Sequence, residues 1–206
     1  MGNGVVVAEG EREDLRVEVY LGTERLVLRR FTMGDAELLV ELDSDVEVMR
    51  YLTGRPTPRD VIETKVLPEI LATYERYPQL GTFAAHERTS GRFVGWFGLQ
   101  PTGEHRVADL GYRLRRAAWG RGYATEGSRA LVAKAFTDLD LRKVIATTMA
   151  VNTRSRRVMQ GSGLRFVRLF HLQFEDPLPG TEHGEVEYAV DRDDWRRIHL
   201  LASEGT

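Results

Sequence analysis

Residues 109–136 read DLGYRLRRAAWGRGYATEGSRALVAKAF, and the fold turns on that stretch. It opens like a strand, passes through a loop holding Gly120 and Gly122, and runs into a helix. The apolar stripe of that helix is Leu131, Val132, Ala135, Phe136 and Leu139. Ala124, Gly127 and Ser128 keep its first turns slim. A helix start exposes unpaired N–H groups and the positive end of a dipole. Glycines just before it remove the Cβ that would hold an anion at a distance. The loop is therefore either a tight strand-to-helix turn that binds nothing or a phosphate cradle. Arg113, Arg115, Arg116 and Arg121 crowd the same place. Two common phosphate loops are excluded. There is no Gly-x4-Gly-Lys-Ser/Thr run, and the third glycine of Gly-x-Gly-x-x-Gly would fall on Thr125.

Upstream, TFAAHERTSGRFVGWFGLQ (82–100) reads as a hairpin turning at Thr89-Ser90-Gly91, and PTGEHRVA (101–108) as a second turn. Val61, Ile62, Val66, Ile70, Leu71 and Tyr74 form an amphipathic stripe that Pro68 must bend or interrupt. Asp35 is placed to cap a helix carrying Leu38, Leu39 and Leu42. RLVLRRF (25–31) is a strand, and 1–22 reads as an N-terminal arm with a short strand at Leu15–Leu21. Downstream, Leu141–Val151 is a nearly unbroken apolar run, as in a strand covered on both faces. NTRSRRVMQGSG (152–163) is a helix stopped by Gly161 and Gly163. GLRFVRLFHLQFE (163–175) and EVEYAV (185–190) are strands around the turn-rich loop DPLPGTEHG, and Asp194 starts a last short helix containing Trp195. The order predicts an α/β (α+β) fold: a mixed, mostly antiparallel sheet of six to seven strands flanked by helices. The meander in the middle excludes a wholly parallel, doubly wound sheet. The domain spans 23–198, with a tail at 199–206.

The 206 residues suit one domain with a real core. A composition of 42% hydrophobic and 29% charged residues is globular rather than disordered. Without cysteine there are no disulfides, thiolate metal sites or cysteine nucleophile, and a cytoplasmic location is the expectation. No apolar run approaches the roughly 20 residues of a membrane span, and MGNGVVVAEGERED lacks a basic leader. A net charge of −2 does not advertise nucleic acid. All but three of the 29 basic residues are arginine, the better residue for bidentate phosphate contacts, although codon composition alone gives the same count. His86, His105, His171, His183 and His199 lack metal-ligand spacing, so no metal is expected. Gly161-Ser162-Gly163 is not the Gly-x-Ser-x-Gly nucleophile elbow.

Trp119-Gly120-Arg121-Gly122-Tyr123-Ala124 resembles the (Gln/Arg)-x-x-Gly-x-Gly/Ala loop of the GNAT superfamily of N-acetyltransferases. Trp119 stands where many members have Gln or Arg. The wording GYRL…WGRGYATEG is similar to the branch that includes the ribosomal-protein alanine N-acetyltransferases, where an aromatic residue is familiar at that point. Asn152-Thr153-Arg154-Ser155-Arg156-Arg157-Val158 resembles that branch's Asn-x-x-Ser-x-Arg-Val, with Gly163-Leu164 following in place. RLVLRRF and EVEYAV also fit, so the resemblance covers residues 23–198.

The resemblance implies a sheet splayed between its fourth and fifth strands, Ala108–Leu114 and Lys143–Val151. The pantetheine arm of acetyl-CoA, the co-substrate, would lie in the gap along Tyr112, Arg113 and Leu114. The pyrophosphate would sit on N–H groups of Arg121, Gly122, Ala124 and Thr125, in the loop of Trp119, Gly120 and Tyr123. Arg116, Arg121 and Arg157 would be its side-chain partners. Ser155 would donate to the sulfur and Asn152 would hold the arm; the plain alternative is that Asn152 caps the helix and Ser155 sits in its first turn. A strand N–H at Tyr112 or Arg113 would polarise the carbonyl. Homodimers are common in the resembling family.

Asp109 is the candidate base, with Glu104, His105, His171 and Glu175 as competitors, each equally readable as a surface group. Residues 34–77 and 171–184 are expected to shape the acceptor pocket. Glu182, Glu185 and Glu187 are either a solvated face or a greeting for a cationic acceptor. An α-amine (pKa about 8) is far more often neutral at pH 7 than a lysine amine (about 10.4), a difference of about 3 kcal/mol. An α-amine or small-molecule amine is therefore expected over a lysine side chain. Two other functions compete. A non-catalytic acyl-CoA-binding or sensing domain would bind without releasing thiol. An arginine-rich nucleic-acid binder would lose affinity steeply with salt, and the near-zero net charge weakens it.

Overall fold

The computed structural model describes residues 18–203, and side chains only to residue 198. Most of the expected arm, 1–17, lies outside the described residues, as do residues 204–206 and the side chain of His199. Within them, eight strands form one sheet: β1 (Val19–Gly22), β2 (Leu26–Arg30), β3 (Gly81–Glu87), β4 (Phe93–Pro101), β5 (Val107–Leu114), β6 (Lys143–Met149), β7 (Arg165–Phe170) and β8 (Glu185–Asp191). Their order is β1-β2-β3-β4-β5-β6-β8-β7. Every neighbouring pair is antiparallel except β5–β6. The sheet thus has one strand more than the expected count. The addition is β1, which falls partly within Leu15–Leu21.

The helices are α1 (Ala36–Asp43), α2 (Val46–Met49), α3 (Arg59–Val61), α4 (Leu67–Arg76), α5 (Tyr123–Thr137), α6 (Thr153–Gly161) and α7 (Arg192–Ser203). Between α3 and α4 the backbone takes a π-helical turn, Ile62–Val66. Pro68, in the first turn of α4, has no N–H for the preceding turn, which accounts for the expected interruption. Asp35 does not cap α1 with its side chain. Its carboxylate accepts the Thr32 N–H (2.7 Å) and pairs with Arg29 (2.7 Å), fixing the turn before the helix.

Alternation along each strand sends side chains to two faces, and each face carries an apolar core. On one face Phe97, Ala108, Leu110, Val144, Ala146, Val186 and Tyr188 pack with Leu131, Val132, Ala135 and Phe136 of α5. On the other, Ala84 and Phe93 pack with Leu39, Leu42, Ile62 and Leu67. α5 lies close to the sheet because residue 127 is glycine. A Cβ there would come within 2.5 Å of the Phe97 ring, an overpacking that typically costs about 1–3 kcal/mol.

Two expectations fail in the second half. β6 is not covered on both faces: Val144 and Ala146 are buried, but Thr147, on the opposite face, is exposed. β7 ends at Phe170 rather than continuing to residue 175, and it is an edge strand with Phe166, Val167 and Leu169 exposed.

Candidate active site

β5 and β6 pair over three residues only: Val107 with Lys143, Ala108 with Val144, and Asp109 with Ile145. Beyond Asp109 the strands part, although β5 runs on to Leu114 and β6 to Met149. Arg115 N–H donates to Val94 O at 2.9 Å. By the alternation of an antiparallel ladder, Arg113 and Gly111 also bond β4, whereas Leu110, Tyr112 and Leu114 turn their backbone groups into the gap. Arg113 therefore drops out of the expected backbone edge. Tyr112 and Leu114 remain in it, and the Leu114 carbonyl accepts the Trp119 indole N–H at 2.9 Å.

The loop after β5 has the geometry that the glycines suggested. Gly120 and Gly122 have φ of 72° and 82°, and nothing lies within 4 Å of a Cβ at Gly120. α5 begins at Tyr123 with no side-chain cap. The N–H groups of Arg121, Gly122, Tyr123, Ala124 and Thr125 meet no acceptor among the described residues. A row of such donors at a helix start suits a phosphate.

The outer side of the loop is latched to the first hairpins by a cluster that the sequence reading missed. Glu126 accepts Thr23 Oγ1 (2.6 Å), Arg25 N–H (2.9 Å) and Arg25 Nε (2.6 Å). Arg25 also donates to Arg121 O at 2.8 Å. The Tyr123 hydroxyl, buried, donates to Glu87, and the guanidiniums of Arg25 (4.8 Å) and Arg121 (4.9 Å) both lie over its ring. Hydrogen bonds from Ser90 and Tyr123 hold the Glu87 carboxyl at about 2. Tyr123 thus anchors the loop through its side chain, leaving only its backbone for a ligand.

The arginines around the loop have carboxylate partners. Arg113 pairs with the buried Asp43 at 2.5 Å and lies over Trp96. Arg115 pairs with Glu41, and Arg116 with Asp45 at 3.1 Å. These three tie α1 and the α2 start to the end of β5. Arg121 pairs with Glu87 at 3.0 Å, on the latch side of the loop. Arg116 and Arg121 each have a carboxylate partner in this arrangement, while both guanidiniums stay largely exposed. Arg157, on α6, is exposed and pairs with no described residue.

Across the gap, Tyr112 and Ser155 meet: the hydroxyls are 2.8 Å apart, and Tyr112 also donates to Ser155 O at 3.1 Å. Burial pushes the Tyr112 phenol up to about 12, against the lowering effect of its bond to Ser155. Asn152 caps α6, accepting Ser155 N–H at 3.2 Å, and donates to Thr148 Oγ1 at 3.1 Å. Capping therefore coexists with a place beside the gap. Asp109, at the last rung, faces the opposite side of the sheet from Tyr112. Its register partners carry that face on to Thr147, Glu187, Met149 and Glu185. Burial, with Glu187 adding its charge, pushes Asp109 up to about 6.

The competitors fall in two places. Glu104 and His105 are exposed at the joined end of β5, with Glu104 paired to Arg142. Glu175 is exposed on the 171–184 loop, and His171 lies against Gly184. On the Asp109 face, a groove of ≈ 250 Å³ lies between residues 51–55 and that loop, lined by Tyr51, Leu52, Arg55, Met149, Phe174 and Glu185 among others. Burial raises the Glu185 carboxyl above its ordinary value. Glu187 instead pairs with Arg168 at 2.7 Å, and Glu182 folds back on Gly180 N–H at 2.8 Å.

The family model for the acetyltransferase (GNAT) domain matches residues 25–165. The chain belongs to the GNAT acetyltransferase family. It is 36% identical over 193 residues to FsC-acetyl coenzyme A-N(2)-transacetylase of Aspergillus fumigatus, covering 89% of this chain and 81% of that protein. An uncharacterized N-acetyltransferase of Bacillus licheniformis, p20, is 30% identical over 140 residues, 68% of this chain and 78% of its own. RimL, a ribosomal L7/L12 alpha-N-protein acetyltransferase solved with coenzyme A, superposes with a TM-score of 0.71 at 17% identity, over 86% of this chain and 99% of that one. Spermidine N-acetyltransferase from Vibrio cholerae, with CoA and spermine, gives 0.69 at 18% identity, over 84% and 99%. At such identities the solved structures speak to the fold. This GNAT chain is an N-acetyltransferase, and membership implies acetyl transfer that depends on acetyl-CoA. Among the described residues no helix is long and apolar enough to cross a membrane, and no cluster of three or more His, Asp or Glu side chains could hold a metal.

Proposed function

We propose that this protein transfers acetyl from acetyl-CoA directly to a primary amine, with both substrates bound together on opposite faces of the splayed sheet. One observation carries the reading: the gap beyond Asp109 has hydroxyls on one face and an unpaired, half-buried carboxyl on the other. The open amides of residues 121–125 hold the diphosphate, and the gap-side backbone of Tyr112 and Leu114 holds the pantetheine arm. Trp119, Gly120 and Gly122 shape the loop, and Asn152 steadies the α6 side.

Asp109 receives the proton of the attacking amine. A carboxyl at about 6 is ionised at pH 7 yet basic enough to accept it. The Tyr112–Ser155 hydroxyl pair donates a hydrogen bond toward the departing sulfur. Full transfer from a phenol at about 12 to a thiolate of about 8.5 would be uphill by about 5 kcal/mol, so hydrogen bonding is the role assigned to Tyr112. The acceptor is an α-amine or small-molecule amine, seated in the groove by Tyr51, Leu52, Phe174 and Glu185. The Aspergillus relative is named an acetyl coenzyme A-N(2)-transacetylase, which supports a nitrogen acceptor.

The test is release of free thiol from acetyl-CoA as amines are added. Faster turnover on a peptide with a free N-terminus than on one offering only internal lysine supports the reading, and the reverse preference overturns it. Binding of acetyl-CoA without turnover across a broad amine panel would favour the sensing domain instead.

A further inference from the structure

We propose that Arg154, in the first turn of α6, binds a phosphate of coenzyme A, a role that rests on the acetyl-CoA reading above. Four nearby arginines have carboxylate partners: Arg113 with Asp43, Arg115 with Glu41, Arg116 with Asp45 and Arg121 with Glu87. Arg154 has none among the described residues. Its guanidinium instead lies over the Trp119 ring, 5.2 Å from the centroid. Trp119 is locked by its indole bond to Leu114 O and stands two residues before the first open amide of the loop. The stack uses the face of the guanidinium and leaves its in-plane N–H donors for a bidentate anion contact. Arg154 is therefore held beside the row of amides by an uncharged partner.

The surroundings add a reason for an anion there. α6 has no acidic residue in its first turn, yet it carries Arg154, Arg156 and Arg157. Arg156 meets only neutral oxygens, Tyr188 Oη at 3.2 Å and Ala150 O at 3.0 Å. Cations at the positive end of a helix dipole are unfavourable unless an anion offsets them. Coenzyme A offers two such anions, its diphosphate and its 3′-phosphate.

The experiment measures, by calorimetry, the binding of coenzyme A, 3′-dephospho-coenzyme A and pantetheine to wild type, Arg154→Ala and Arg154→Lys. Loss of a charge-assisted bond predicts about tenfold weaker coenzyme A binding by Arg154→Ala. Arg154→Lys, which keeps the charge, recovers part of that loss. Pantetheine, free of phosphate, binds wild type and both variants alike. If the loss persists with dephospho-coenzyme A, the partner is the diphosphate; if it disappears, the partner is the 3′-phosphate. Arg165→Ala, removing an exposed arginine on β7, leaves all three affinities in place. The proposal is overturned by an Arg154→Ala protein that binds coenzyme A as wild type does. It is equally overturned by one whose binding of pantetheine falls by the same factor. A wild type that binds no coenzyme A would sink the parent reading as well, which separates the two failures.

Discussion

On the β5 side of the gap, Arg113, Arg115 and Arg116 are held by Asp43, Glu41 and Asp45. On the α6 side, Arg154, Arg156 and Arg157 have no carboxylate partner among the described residues, and the polar groups facing the gap are Asn152 and Ser155. Both stretches read as arginine-rich punctuation after an apolar strand. The partners differ because the acids of ELDSD (41–45) arrive every second residue where β5 ends, whereas α6 faces no such ladder. One wall is fastened by its charges, and the other leaves its charges and hydroxyls available. Substitutions on the fastened wall should therefore cost stability, and those at the working wall should cost rate.

The largest effect is expected from Asp43→Ala. It leaves Arg113 without its partner in a mostly buried place and removes the acceptor of Thr57 Oγ1 (3.1 Å). Urea denaturation should show a loss of about 3–5 kcal/mol. Unchanged stability would break the contrast outright.

Asp109→Asn, at the rung where the walls meet, should cut kcat/KM about a hundredfold. The wild-type profile should fall as pH drops through about 6. The stability effect has the opposite sign. The folded carboxyl sits above its ordinary 3.8, so folding binds a proton between about 4 and 6, and stability declines as pH rises through that window. Removing the charge should therefore stabilise the protein at pH 7, by up to about 3 kcal/mol, seen as a higher Tm. A slow variant with a lower Tm would contradict the assignment of burial as the cause.

Ser155→Ala should lower kcat about tenfold with little change in stability, since Asn152 caps the backbone N–H of residue 155 rather than its hydroxyl. Steady-state kinetics beside a melting curve would separate the two. Smallest is Glu41→Ala, which removes the half-exposed partner of Arg115 and should cost under about 1 kcal/mol. A cost as large as that of Asp43→Ala would show the three pairs acting as one cooperative clasp.

What could be read in advance follows from the range of each interaction. The glycine loop, the Asn152–Ser155 cap and the hairpin at Thr89–Gly91 are local, and residue type plus spacing specifies them. The splay could be placed only through the resemblance, because nothing local to Asp109 says that its strand parts from β6. The arginine partners were not legible: Arg113 and Asp43 lie 70 residues apart and meet only after the sheet has formed. The Glu87–Tyr123 bond spans 36 residues, and the tyrosine read simply as part of the loop. The exposed face of β6 was also hidden, since an apolar run does not reveal that one side opens onto a groove.

The three-residue pairing of β5 with β6 has a mechanical consequence. The sheet is in effect two blades, β1–β5 and β6–β8, joined at one short seam and backed by α5. The width of the aperture is set by three rungs and by the core that α5 shares with both blades. A few residues around positions 107–109 and 143–145 therefore control the width of the opening without touching the ladders of either blade.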